Sequence, residues 1–246
     1  MAKVRLDQLL VDRGLVESRS RAQALVMAGL VYSGERKLEK AGQQIAEDAP
    51  LDVRGQDHPW VSRGGLKLAH ALEHFEVDPT GMTCIDVGAS TGGFTDVLLQ
   101  NGAARVYAVD VGHGQLAWKL RSDDRVVVLE KTNARYVSEE QVPEPVDLVV
   151  CDASFIGLKT VLPAAMARTK DRARLIALIK PQFEAGREHV GKGGVVRDPD
   201  IHAAVCEDIR AWLDGLDGWS VSGIVESPIT GPEGNVEFLI SAVKEA

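Results

Sequence analysis

The stretch TCIDVGASTGGFTDVLLQNGAARVYAVD, residues 83–110, decides the fold. A short apolar run around Ile85 leads into a glycine-containing turn, and a helical pattern with Phe94 and Val97 on its apolar face follows. That pattern closes at Asn101-Gly102, and a second apolar run ends in Asp110. The order strand, tight turn, helix, strand is typical of a βαβ unit, so the sequence predicts an α/β fold with a Rossmann-like sheet.

The turn at residues 88–93, GASTGG, indicates the kind of ligand. It departs from the dinucleotide pattern G-x-G-x-x-G, because Ser90 stands where that pattern requires glycine. Asp110 follows Gly88 by 22 residues, where a carboxylate at a strand end can accept hydrogen bonds from ribose hydroxyls. We therefore predict a nucleoside pocket that need not hold a pyrophosphate, which suits S-adenosylmethionine. An ordinary turn without a ligand is the alternative.

Composition limits the classes of protein and partner. The 246 residues allow one large domain or two unequal ones, and the formal net charge of −8 argues against binding a polyanion through the overall field. Residues 1–40 differ, because they carry eight lysines and arginines against five acids. Cys84, Cys151 and Cys206 show no metal-binding spacing, so we expect reduced thiols in the cytoplasm. No apolar run reaches the length of a membrane helix, about 18 residues.

The first part of the chain looks like a separate small module. A leucine pattern around Leu6 predicts a helix that stops at Gly14, and Ser18 or Ser20 can cap a second helix. Short strands are expected near residues 30–32, 45 and 51–53. The stretch RLDQLLVDRGLVESRSRAQALVMAGLVYSG, residues 5–34, resembles the S-four type RNA-binding domain. We place this domain at 1–57, a linker at 58–62 and a second domain at 63–246, and expect Trp60 to dock on one of the two.

The second domain continues the alternation of strands and helices. Strands are predicted at 126–129, 146–150, 175–179, 219–226 and 235–243, with helices near 114–120, 158–167 and 200–214. Ligands of open α/β sheets lie at the carboxyl ends of the strands. Glu237 would reach the same edge if the last strand runs antiparallel to the others. The polar residues expected at this edge are Asp86, Asp110, Asn133, Asp152, Lys180 and Glu237.

A resemblance to a known family covers the whole chain. Lys67, Asp152, Lys180 and Glu237 match the Lys-Asp-Lys-Glu set of FtsJ-like ribose 2′-O-methyltransferases. The stretches SRGGLKL, DVGASTGGFTDVLL, DVGHGQLAWKLR, LEKTNAR, KPQFEAG, GGVVRD and GPEGNVEF are similar to the TlyA (haemolysin A) family. The resemblance implies a class I S-adenosylmethionine-dependent methyltransferase that acts on cytidine 2′-hydroxyls of ribosomal RNA. One departure is His58, two residues before Trp60, where the family pattern has arginine.

Roles follow for the individual residues. We expect Lys180 to act as base or orienter of the hydroxyl, Asp152 and Glu237 to position the lysines, and Lys67 to support the developing alkoxide. No metal is required, and His70 and His74 lack a third ligand nearby. The predicted cofactor contacts are Asp86, Gly88, Ser90, Gly92, Gly93, Phe94, Asp110, Val111, Asn133 and Asp152. The predicted RNA contacts are Lys3, Arg5, Arg13, Arg19, Arg21 and Arg63.

Three other functions compete with this interpretation. The chain could be an RNA-binding or ribosome-assembly module whose second domain is vestigial, although the complete Lys-Asp-Lys-Glu set argues against that. A membrane-active haemolysin is suggested by the family name, but no strongly basic amphipathic helix accompanies it. A nicotinamide-dependent dehydrogenase is disfavoured by Ser90.

Overall fold

The computed structural model describes residues 3–16, 18–53 and 58–245. The predicted domain boundary at residue 57 lies outside these ranges. The amino-terminal part contains helices α1 (Leu6–Asp12) and α2 (Arg19–Met27), which pack on each other around buried aliphatic side chains. Five short strands accompany them: β1 (Lys3–Arg5), β2 (Val31–Ser33), β3 (Arg36–Lys37), β4 (Gln44–Ala46) and β5 (Asp52–Val53).

Local signals explain how these helices begin and end. Ser18 is the N-cap of α2, because its hydroxyl accepts a hydrogen bond from the Arg21 amide at 3.2 Å. The alternative cap, Ser20, lies inside the helix. Gly14 and Gly29 follow the two helices with φ of 65° and 72°, which glycine adopts without strain. Strands β1 and β3 were not predicted; β1 pairs with β4, and β3 pairs with β2.

The larger part is built on a seven-stranded sheet in the order β11-β12-β10-β9-β6-β7-β8. Strands β6 to β10 are parallel to their neighbours in this group, whereas β12 is antiparallel to both β10 and β11. The strands are β6 (Thr83–Val87), β7 (Arg105–Val109), β8 (Val126–Leu129), β9 (Val146–Cys151), β10 (Thr169–Ile179), β11 (Trp219–Glu226) and β12 (Phe238–Lys244). The predicted Rossmann-like α/β fold is confirmed.

Helices cover both faces of this sheet. They are α3 (Gly64–His74), α4 (Gly93–Gln100), α5 (Trp118–Arg121), α6 (Leu158–Met166), α7 (Pro181–Glu184) and α8 (Pro199–Asp214), with 3₁₀ turns at Ala134–Tyr136 and Arg187–His189. Helices α3 and α4 share one apolar layer with Val106 and Leu148, and α6 and α8 share the other with Ile85 and Val149. Strands that are buried on both faces have continuous apolar sequences, which is why the short apolar runs identified the central strands.

Three elements of the larger part begin three or more residues away from the predicted position. Helix α5 begins at Trp118 rather than 114, because the preceding amides of Gln115 and Leu116 point to the Glu130 carboxylate. Strand β10 begins at Thr169, six positions before the predicted 175, and much of this extra length pairs with β9 or β12. Strand β12 begins at Phe238 rather than 235, because residues 231–235 form a turn closed by the Gly231 amide and the Asn235 carbonyl.

Trp60 docks on the second domain, as expected for a residue that fixes the linker. Its indole lies against Gly65 in α3, where a Cβ atom would come within 2.4 Å of the Trp60 ring. The amide of the next residue, Val61, donates to the buried Asp96 carboxylate at 2.8 Å. The start of the second domain is therefore held against α3 and α4.

Candidate active site

The glycine turn after β6 makes a close approach to the neighbouring strand end. Gly88 has a φ of 82°, in the left-handed region, and a Cβ there would lie 2.8 Å from the Ala153 Cα atom. Both the backbone conformation and the close approach therefore require glycine. Asp110 braces the turn: its two carboxylate oxygens accept hydrogen bonds from the amides of Ser90 and Gly112 at 2.8 and 2.7 Å. Each oxygen keeps a further lone pair for a ligand.

Two further residues predicted to contact the cofactor, Asp86 and Gly92, face the protein interior. Asp86 is fully buried, and its Oδ2 accepts hydrogen bonds from the amide and hydroxyl of Thr95 at 3.0 and 2.7 Å. Burial raises the pKa of Asp86 to about 7. Gly92 faces inward, where a Cβ would meet the Leu116 and Leu120 side chains. Neither residue lines the two cavities described next, and contact of Asp86 or Gly92 with a cofactor stays a prediction.

A cavity of about 680 Å³, called here the turn cavity, lies beside the turn and the ends of β6, β7 and β9. This volume is in the range of small-molecule sites. Six of the predicted cofactor contacts line the turn cavity: Gly88, Ser90, Asp110, Val111, Asn133 and Asp152. Residues that the sequence analysis did not single out also line it, among them Gln115, Thr132, Ser154, Phe155 and Ile156.

A second cavity of about 590 Å³, called here the lysine cavity, lies on the other side of the turn. Lys67, Asp152, Lys180 and Glu237 all line it, together with Gly93 and Phe94 from the predicted cofactor set and Arg63 from the predicted RNA set. The two cavities share Gly88, Ser90, Asp152, Ser154 and Phe155. The two cavities therefore meet at the glycine turn and at the segment that follows β9.

The four charged side chains form a continuous ionic chain. The Lys67 Nζ atom lies 2.6 Å from Glu237 Oε2 and 3.7 Å from Asp152 Oδ2, and the Lys180 Nζ atom lies 2.7 Å from Asp152 Oδ1. Lys67, Lys180 and Glu237 are 6%, 6% and 1% exposed. Two positive and two negative charges balance, which is the condition under which charges can be buried. Glu237 reaches this edge because it directly precedes the antiparallel β12.

Two hydrogen bonds and one ion pair hold Lys180. Its ammonium group donates to the Asp152 carbonyl at 3.0 Å and to the Ser154 hydroxyl at 2.9 Å, and its Nζ atom lies 2.7 Å from Asp152 Oδ1. Lysine has three donors, so this set fixes its direction. Pro181 follows at the first position of α7 and ends β10, which places Lys180 at the strand's carboxyl end. Ser154 was missed; its only signal in the sequence is its place two residues after Asp152.

The predicted RNA contacts fall into two groups. Arg5 and Arg19 both pair with the buried Asp7 carboxylate, at 2.8 and 3.1 Å, and these arginines hold the pKa of Asp7 well below its usual range. Arg13 donates to the carbonyls of Glu47 and Ala49. Lys3 and Arg21 are exposed, and Arg63 donates to the Thr230 carbonyl beside the lysine cavity. RNA binding by this set stays a prediction.

Among the described residues, no group of three or more potential metal ligands occurs, and His70 and His74 stack on each other. Within those same residues, no helix combines the length and apolar character that a membrane span needs.

Comparisons with known proteins identify the family of each part of the chain. Residues 60–244 match the family of FtsJ-like methyltransferases, and residues 4–49 match the S4 domain. YqxC of Bacillus subtilis (strain 168) is 50% identical over 239 residues, 97% of this chain and 85% of that protein. The 16S/23S rRNA (cytidine-2′-O)-methyltransferase TlyA of Mycobacterium tuberculosis (strain ATCC 25618 / H37Rv) is 47% identical over 97% of this chain and 89% of that protein. A solved structure from Streptococcus thermophilus is 46% identical with a TM-score of 0.77, covering 100% of this chain and 90% of that one.

Proposed function

The chain belongs to the FtsJ-like methyltransferase family and is of the TlyA type, and from that premise we propose that it methylates cytidine 2′-hydroxyls of ribosomal RNA with S-adenosylmethionine. One observation carries the proposal. The Lys67, Asp152, Lys180 and Glu237 side chains converge on a cavity that shares part of its lining with a nucleoside-sized one. A ribosomal substrate would place the protein in the cytoplasm.

The turn cavity fits the nucleoside part of S-adenosylmethionine. Asp110 presents carboxylate oxygens with spare lone pairs, which suit ribose hydroxyls. Asn133 accepts a hydrogen bond from the Arg135 amide through Oδ1, so its amino group is directed to a second acceptor such as an adenine nitrogen. Val111 and Ile156 add apolar surface for the ring.

The lysine cavity suits the acceptor ribose. The cofactor supplies a methyl group that is already activated by its sulfonium, so the protein has to align the hydroxyl and handle one proton. Lys180, held by the Asp152 carbonyl, the Ser154 hydroxyl and the ion pair with the Asp152 carboxylate, is the residue that we assign to the hydroxyl, as its orienter or its base. Lys67 supports the negative charge that develops on the oxygen. Asp152 lies between the two ammonium groups, and Glu237 fixes Lys67 from the other side.

The S4 domain supplies the interaction with RNA. The chain as a whole is acidic, so binding to a polyanion depends on a local excess of positive charge, and residues 1–40 carry a net charge of +3 from eight cations and five acids. Arg63 adds a cation at the lysine cavity itself. We infer that the amino-terminal module holds the RNA while the larger domain modifies it.

The test is transfer of labelled methyl groups from S-adenosylmethionine to ribosomal subunits or their RNA by the full chain. Lys180→Ala should lower turnover by about two orders of magnitude or more and leave cofactor affinity nearly unchanged by calorimetry. Lys170→Ala is the matched control, because Lys170 forms a 2.7 Å ion pair with Asp147 at the opposite end of the same strand. The proposal fails if the unmodified chain labels no ribosomal RNA. The role of Lys180 fails if affinity collapses while turnover at saturation is preserved.

A further inference from the structure

Asn235 is a buried polar residue that the proposed chemistry does not use. It is 1% exposed and lines the lysine cavity two residues before Glu237. Its side chain makes two hydrogen bonds to one distant segment. Oδ1 accepts from the Val196 amide at 3.0 Å, and Nδ2 donates to the Gly194 carbonyl at 2.9 Å. A buried amide with both ends satisfied by backbone is a specific connection between two loops.

The segment that it holds is a small glycine hairpin, defined here as residues 191–195. The Gly191 amide donates to the Val195 carbonyl at 3.0 Å, and the Gly194 amide donates to the Gly191 carbonyl at 3.1 Å. Gly193 and Gly194 have φ of 82° and 76°, and both line the lysine cavity. Val195 is the buried apolar residue of the hairpin, whereas its three glycines have no side chains to pack, so its position against the cavity depends largely on such backbone contacts.

The same residue also shapes the segment that presents Glu237. The Asn235 carbonyl accepts from the Gly231 amide at 2.9 Å, which closes the turn before β12. Gly231 faces Glu237 so closely that a Cβ there would lie 2.7 Å from the Glu237 Oε1 atom. Asn235 is thus joined through its side chain to the hairpin and through its backbone to the turn on which the Glu237 carboxylate rests.

We propose that Asn235 is a positioning residue that holds the glycine hairpin as a wall of the lysine cavity and sets the direction of Glu237 toward Lys67. The expected effect of Asn235 on kcat rests on the proposed function. The hydrogen bonds of Asn235 described above join it to Val196, Gly194 and Gly231 and to none of the four charged side chains, so it acts on the reaction through the backbone. Misplacement of reacting groups by an ångström lowers rates by about a hundredfold.

The experiment compares Asn235→Ala with Asn101→Ala in the full chain. Asn101 is the matched control, because its Nδ2 also donates to a backbone carbonyl, that of Val97, at the carboxyl end of α4. Hydrogen–deuterium exchange reports the hairpin directly. In Asn235→Ala, the backbone amides of residues 187–195 should exchange roughly tenfold faster or more. This is in addition to faster exchange of the Val196 amide, which loses its acceptor. In Asn101→Ala, those residues should exchange as in the unmodified chain.

Kinetics give the second measurement. Asn235→Ala should lower kcat at least tenfold and leave the affinity for S-adenosylmethionine nearly unchanged. If Asn235→Ala does not fold, Asn235→Asp, which keeps an acceptor for Val196 and loses the donor to Gly194, should change exchange and kcat in the same directions. Unchanged hairpin exchange, or unchanged kcat in a variant with a mobilised hairpin, overturns the inference. Exchange is measured without turnover, so its outcome stands apart from that of the proposed methyl transfer.

Discussion

Replacing Lys67 with methionine removes one charge from the centre of the ionic chain. Glu237 is 1% exposed and loses its partner at 2.6 Å, while Asp152 loses the more distant contact at 3.7 Å and keeps Lys180 at 2.7 Å. The main cost therefore falls on Glu237, whose carboxylate is left buried without a counter-charge. Breaking a buried ion pair in this way costs about 3–5 kcal/mol of stability.

The magnitude is tested with a double-mutant cycle. Glu237→Gln in the Lys67→Met background removes the stranded charge, so the double variant should recover to within about 1–2 kcal/mol of the unmodified chain. For a protein of this size, the single variant should unfold about 10 °C lower. Both variants should be inactive in methyl transfer, which separates the stability effect from the catalytic one.

The assay is thermal and urea unfolding of each variant, followed by a signal of the larger domain. Lys159→Met is the matched control, because the 2.7 Å pair of Lys159 with Asp208 is exposed and such pairs contribute little. If Lys67→Met were as stable as the unmodified chain, or if the double variant were less stable than Lys67→Met, the account of a buried and balanced ionic chain would be refuted.

Two further predictions follow from charges elsewhere. The pKa of Asp86 is raised to about 7 in the folded state, whereas the unfolded chain releases this proton near pH 4. The free energy of unfolding should therefore fall by roughly 2–4 kcal/mol as the pH rises from 4 to 7. Denaturation of Asp86→Asn at several pH values should show a flatter profile; an identical profile would contradict the assignment. Arg19→Ala should weaken RNA binding and make the slope of log affinity against log salt shallower by about one. Titrations at several salt concentrations measure this, and an unchanged slope would mean that Arg19 meets no phosphate.

The edge of the sheet could be predicted because parallel strands bring their carboxyl ends together. Asp110, Asn133, Asp152 and Lys180 each follow a strand that the apolar runs identify, so their meeting required only the topology. Glu237 required one further assumption, the antiparallel direction of β12, which the structure confirms. The sequence alone therefore locates most of the charged groups of the site.

What the sequence did not predict depends on the direction of side chains and on contacts between loops. Asp86 is the penultimate residue of β6, and its side chain points to Thr95 in α4 rather than to the open edge of the sheet. The apolar run that predicts the strand does not predict this side-chain direction. Ser154 and Asn235 acquire their partners from segments 26 and 39–41 positions away. Arg5 and Arg19 likewise meet on Asp7 only after α1 and α2 have packed.

The place of β12 in the sheet has a consequence for protein synthesis. This strand follows the other six strands of its sheet in the sequence, yet it lies between β10 and β11 rather than at an edge. A nascent polypeptide that has not yet emerged to residue 244 leaves β10 without its neighbour and Lys67 without Glu237. On the proposed function, a nascent chain can modify RNA only after residues up to 244 have left the ribosome and this strand has inserted beside β10.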